Sequence, residues 1–236
     1  CSTLGMSFLF LWRTYVDPIA NSWWLGWGML GLAVLTKGPV AIILVFLSLL
    51  LFGLQQRNCI LLINRLKLFY GLIITFFISI PWYIIELIKE GKPFWDSFFG
   101  YHNFQRFTTV VNSHSQPWWF FGLMLIIAST PFTPFLLAGL YESFKKQFNK
   151  NLNCQIVKAY SLSDFASCWL LSVLLLFTAA ATKLPSYWLP ATPAAAILIG
   201  LTVSEANIKK RNYESILWMG SSLMSLFLSI AFWLSP

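Results

Sequence analysis

Charge in this sequence is confined to the gaps between long apolar runs. The runs lie at about 19–36, 39–54, 67–85, 118–140, 165–182, 187–203 and 215–234, and an apolar stretch also fills Cys1 to Trp12. A helix needs roughly 20 apolar residues to cross about 30 Å of hydrocarbon, so most of the runs have the length of one crossing. Only 10% of residues are charged, against about 25% in soluble domains, which leaves too little polar surface to face water. The sequence therefore predicts an all-α, polytopic transmembrane bundle. About seven full spans and an N-terminal partial span are expected, in a single domain over 1–236. The opening stretch has neither the basic start nor the small-residue cleavage site of a signal peptide. It reads as the tail of a helix whose start is missing, so the chain is expected to be truncated at its N-terminus.

The least obvious assignment is the pair 19–36 and 39–54. Fused from Trp23 to Leu54 they would make a helix of about 48 Å, too long for one crossing, with Lys37-Gly38-Pro39 near its middle. A charge at mid-membrane is costly and Gly-Pro breaks helices. Two short helices joined by a tight turn at Lys37 are expected instead. With one crossing per run, one side receives Arg13, Arg57, Arg65, Lys67, Lys145, Lys146, Lys150, Lys158, Lys209, Lys210 and Arg211, eleven of the 16 basic residues. That side is expected to be cytoplasmic, including 141–164 and 204–214. The outer side receives Lys37, Lys89, Lys92, Arg106 and Lys183. In this setting the net charge of +8 marks topology rather than a nucleic-acid patch, and no nucleic-acid partner is expected. The excess of aromatics, 18%, suits belts at the lipid boundary.

Three outer segments carry the candidate chemistry. The first is the Lys37 turn, whose ammonium is placed to hold a phosphate or simply to snorkel at a helix end. The second is the loop 86–117, too aromatic for a plain linker. A helix opened by Pro93 would lie in the interface, with Trp95, Phe99, His102 and Arg106 on one face. His102 and Arg106 would then offer an anion site or only a hydrated polar end. The third is Lys183-Leu184-Pro185-Ser186-Tyr187-Trp188-Leu189-Pro190, a proline-marked approach to a span with Lys183 and Tyr187 at the outer surface, and its plain alternative is an interfacial turn. Four outer cations at irregular turns together point to an anion site. The outer acids Glu86, Glu90 and Asp96 sit beside local cations and make poor catalytic pairs. The four cysteines, Cys1, Cys59, Cys154 and Cys168, show no metal-binding or disulfide pattern. No nucleophile triad, P-loop or metalloprotease motif is present.

Leu35-Thr36-Lys37-Gly38-Pro39-Val40-Ala41, Pro81-Trp82-Tyr83, His102 to Phe107 with Gln116-Pro117-Trp118-Trp119-Phe120, and Lys183 to Pro190 follow one another along nearly the whole chain. In that order they resemble the bacterial lipid A aminoarabinose transferases and their relatives in the dolichyl-phosphate-mannose protein mannosyltransferase superfamily. The resemblance implies a GT-C-type glycosyltransferase in the inner membrane. It would move a sugar from a polyprenyl-phosphate carrier to a lipid or protein acceptor on the outer, periplasmic face. It also implies that Lys37 and Arg106 face the carrier phosphate, and that His102, Lys183 and Tyr187 line the same substrate-binding cavity. The family's acidic residue, acting as base or metal ligand, lies in a first outer loop that this sequence does not contain. No catalytic residue is therefore assigned, a divalent metal is left open, and the chain alone is expected to transfer no sugar. A transporter or flippase for an anionic polyprenyl-linked lipid is the alternative that the outer cations also suit.

Overall fold

In the computed structural model, all residues are described except 18–21, 106–107, 109–115, 149–159, 209–213 and 235–236. The described residues form helices and no strand. They are α1 (Ser2–Val16), α2 (Trp23–Lys37), α3 (Val40–Gln56), α4 (Cys59–Leu66), α5 (Leu68–Glu90) and α6 (Lys92–Trp95), which runs into a π-helix at Asp96–Gln105. There follow α7 (Phe120–Ala128), α8 (Thr133–Phe148), α9 (Tyr160–Ala179), a 3-10 helix (Pro185–Ala191), α10 (Thr192–Ile208) and α11 (Glu214–Leu234).

The core is built on helical spacing. Leu4, Phe8, Leu11 and Tyr15 turn one face of α1 inward, and Phe8 stacks on Trp169 of α9 with ring centres 4.3 Å apart. Helix α2 packs between α1 and α5, α3 lies along α9, and α10 packs on α8 and α9. Without a hydrophobic drive between helices in lipid, small residues and buried polar pairs supply the fit. Ser7 Oγ donates to Gly26 O at 2.8 Å. Gly71 of α5 takes the indole of Trp27, where a Cβ would overlap the ring, and Trp27 Nε1 donates to Leu66 O at 2.9 Å. Between α3 and α9, Ser48 meets Ser172, Cys168 Sγ donates to Gln55 Oε1 and Gln56 Nε2 donates to Asp164 Oδ2. Ser143 Oγ of α8 donates to the other oxygen of the buried Asp164.

Leu68–Glu90, Leu162–Ala179 and Pro185–Glu205 are each long and apolar enough to cross a membrane. Helices α2 and α3 have 15 and 17 residues, about 22 and 26 Å, short of a full crossing. The expected single span at 118–140 is instead bent by 117° between α7 and α8. Pro131 and Pro134 cannot donate to the ladder, and Thr130 and Thr133 hydroxyls both donate to Ile126 O, satisfying a carbonyl near the break. The basic segment after α3 also holds structure beyond a loop. Asn58 caps α4 through Leu61 N, and Leu62 and Leu66 bury one side of it.

Lys37 does end α2, as its turn requires. Gly38, at φ 79° and ψ −167°, adopts a backbone open essentially to glycine, and Pro39 starts α3. The helix opened near Pro93 is present, but its expected α-helical face is not kept. From Asp96 to Gln105 the chain winds as a π-helix with i→i+5 bonds, so the 3.6-residue spacing does not hold over that stretch, and Arg106 lies outside the described residues. The start of that helix is pinned to α5. Buried Phe94 stacks on Phe98 at 5.5 Å and meets Trp82 edge-on at 5.9 Å.

Candidate functional site

The turn after α2, the π-helix and the 3-10 helix meet around one cavity of about 250 Å³ at one end of the bundle. Thr36, Lys37, Val40 and Ala41 come from the turn and the first residues of α3. Phe98 enters from the π-helix, and Phe177 and Ala180 from the end of α9. Ser186, Tyr187 and Pro190 close the side formed by the 3-10 helix, with Leu4 of α1 opposite. Three segments far apart in sequence thus share one chamber.

The walls are mainly apolar and the polar groups few. Tyr187 lies flat on Phe177, with ring centres 4.6 Å apart and planes at 26°. Lys37 is exposed at the cavity's edge, and a lysine stem can cover apolar surface while its ammonium reaches outward. Two helix ends meet at this turn. The C-terminus of α2 carries partial negative charge and the N-terminus of α3 partial positive charge, so the α3 side, with Val40 and Ala41 in the wall, favours an anion. A chamber of this kind suits an amphipathic ligand with an anionic head and an apolar tail.

Of the five residues singled out in the sequence, the structure brings Lys37 and Tyr187 together. Lys183 is half-buried, four residues before Tyr187, and is not part of the cavity wall. The backbone of His102 lies in the π-helix, and its side chain and all of Arg106 lie outside the described residues. Sequence reasoning missed Phe98, Phe177 and Ser186 as wall residues. Phe98 had a signal in the aromatic density of its loop, whereas Phe177 is one of many apolar residues in its run. Among the described residues no cluster of His, Cys, Asp or Glu could hold a metal ion.

The chain is an apolar helical bundle with a chamber at one end, and comparison with known proteins shows which fold this is. No family model matches the chain. It is 27% identical over 234 residues to the undecaprenyl phosphate-α-4-amino-4-deoxy-L-arabinose arabinosyl transferase of Pseudomonas paraeruginosa, covering 96% of this chain and 39% of that protein. It is 33% identical over 185 residues to an uncharacterized protein of Aquifex aeolicus, covering 78% of this chain and 39% of that one. The crystal structure of ArnT from Cupriavidus metallidurans bound to undecaprenyl phosphate superposes with a TM-score of 0.70 at 24% identity, over 84% of this chain and 35% of that one. The chain is thus aminoarabinose-transferase-like in sequence and shares the ArnT fold. It spans less than two-fifths or about two-fifths of the length of each of these relatives.

Proposed function

We propose that this chain forms the carrier-binding part of a membrane glycosyltransferase. The enzyme takes a sugar from a polyprenyl-phosphate carrier and gives it to a lipid acceptor at the outer face of the inner membrane. The observation that carries the reading is the shared cavity, with Lys37 at its edge, Tyr187 in its wall and apolar residues elsewhere. The sequence similarity to aminoarabinose arabinosyl transferases supports it. In the reaction an acceptor oxygen bonds to the anomeric carbon while the bond from that carbon to the carrier phosphate oxygen breaks. The electron pair leaves with the phosphate, so negative charge grows there. Lys37 stabilises that charge, Arg106 adds a second cation, and Tyr187 offers a hydroxyl donor. Deprotonation or orientation of the acceptor belongs to a carboxylate that none of the cavity residues supplies.

The test is Lys37→Ala in the intact protein, assayed for transfer from a labelled polyprenyl-phosphate sugar at matched membrane levels. A charge-assisted bond is worth about 1.5–3 kcal/mol, so transfer should fall roughly 10- to 150-fold if the bond acts mainly in the transition state. Wild-type rates in Lys37→Ala would refute the phosphate role. Unaltered transmembrane movement of the carrier lipid in the variant, with transfer lost, would separate an enzyme from a flippase.

A further inference from the structure

The segment Pro81-Trp82-Tyr83 takes no part in the cavity wall, yet Tyr83 touches both sides of the chamber. Its hydroxyl donates to Val34 O of α2 at 2.8 Å, and the same carbonyl accepts Gly38 N at 2.8 Å. A carbonyl has two lone pairs, so both bonds stand together. The ring of Tyr83 lies 5.5 Å from Phe98, a wall residue on the π-helix. Trp82, its neighbour, instead packs on Phe94 and does not reach α2 through a hydrogen bond.

We propose that Tyr83 is a positioning residue for the anion-binding turn at Lys37, an inference that rests on the proposed binding of a carrier phosphate there. On the α2 side the turn is held by the main-chain bond from Gly38 N to Val34 O, and the glycine backbone is otherwise permissive. The Tyr83 hydroxyl fixes the carbonyl that receives this bond, three residues before Lys37. It also acts electrostatically. The partial negative charge at the C-terminus of α2 opposes an anion, and the second bond that Tyr83 gives to Val34 O, beside that from Gly38 N, draws negative character away from it. The effect is on the charged head of a ligand, because the hydroxyl bonds the end of α2 and Tyr83 is not among the residues of the apolar wall. Contact with Phe98 ties the same residue to the π-helix, so the two sides of the chamber keep a fixed spacing.

The experiment measures Kd for a polyprenyl monophosphate and for the polyprenol of equal chain length, on the intact purified protein. The ratio of the two is the phosphate preference. Tyr83→Phe keeps the ring and removes the hydroxyl, and should lower the preference roughly 2- to 10-fold, the scale of one hydrogen bond, with polyprenol binding unchanged. In a Lys37→Ala background the same substitution should have no further effect on the preference. Trp82→Phe, in the same aromatic group but not bonded to Val34, should leave the preference intact. If Lys37→Ala itself keeps the wild-type preference, the carrier-phosphate reading of the turn fails and the inference falls with it. If Lys37→Ala loses the preference while Tyr83→Phe keeps it, weakens both ligands equally or matches Trp82→Phe, the positioning role alone is overturned. A Tyr83→Phe protein that does not assemble would make the residue structural, and would overturn the role as well.

Discussion

Replacing Gly71 by alanine places a methyl group inside the indole of Trp27. The ring cannot swing clear, because Trp27 is fully buried, donates to Leu66 O at 2.9 Å and lies beside Phe46. Either α5 backs away from α2 or the indole tilts and gives up its hydrogen bond. Overpacking of a tight core costs about 1–3 kcal/mol and a lost bond adds about 1 kcal/mol, so Gly71→Ala should destabilise by roughly 2–4 kcal/mol. Unfolding of the intact protein in detergent, followed by intrinsic Trp fluorescence, reads the loss. Trp27→Leu removes the obstacle and, combined with Gly71→Ala, should cost less than the sum of the single changes by at least about 1 kcal/mol. A Gly71→Ala protein as stable as wild type, or strict additivity in the pair, would refute the close approach. The site also bears on the cavity, since α2 runs on from Trp27 to Lys37 over about 15 Å.

Asp164→Ala removes the acceptor shared by Gln56 and Ser143 and should lower stability by about 1–3 kcal/mol, with Asp164→Asn milder; equal stability of wild type and Asp164→Ala in denaturant titration would count against the clamp. Single cysteines should be labelled from outside by an impermeant thiol reagent at Ser186→Cys and Lys92→Cys but not at Asn64→Cys, because the first two belong to the cavity end and Asn64 to the basic end; the reverse pattern in intact cells would overturn the orientation.

How much of this was open to sequence reasoning depends on what kind of signal each feature leaves. The Lys37 hairpin was legible because glycine-proline cannot continue a helix and a lysine is costly at mid-membrane. Counting crossings places the Lys37 turn and the Lys183 segment on the same side, and in the structure Lys37 and Tyr187 line one cavity. The bend between α7 and α8 was not, since the run 118–140 is apolar on average and its Ser-Thr-Pro break is only a few residues long. The π-helix was missed because composition is the same for a wide and an ordinary helical turn. Tyr187 reached the cavity wall and Lys183 did not. Tyr187 belongs to the 3-10 helix and Lys183 to the irregular stretch just before it, and spacing alone cannot say where an ordinary helical repeat gives way to either.

Among the described residues, three cations at the basic end are engaged by the fold, whereas Lys37 is not. At the basic end Arg65 Nη1 donates to Tyr15 O at 2.7 Å and packs over the Tyr15 ring. Lys67 lies over Trp23 at 4.9 Å, and Lys145 over Tyr141 at 5.7 Å. Those charges close off helix ends and aromatic faces, as cations near helix C-termini do. At the cavity end, among the described residues, neither a hydrogen bond nor an ion pair nor a ring contact engages Lys37. A charge held by the fold has partners that cancel part of its field; Lys37 keeps its field for whatever enters the chamber. The apolar wall beside it limits competing water and strengthens that field at short range. The same arrangement makes salt a discriminating variable. If Lys37 binds a phosphate at the cavity's exposed edge, raising salt should weaken polyprenyl-phosphate binding while leaving polyprenol binding unaltered.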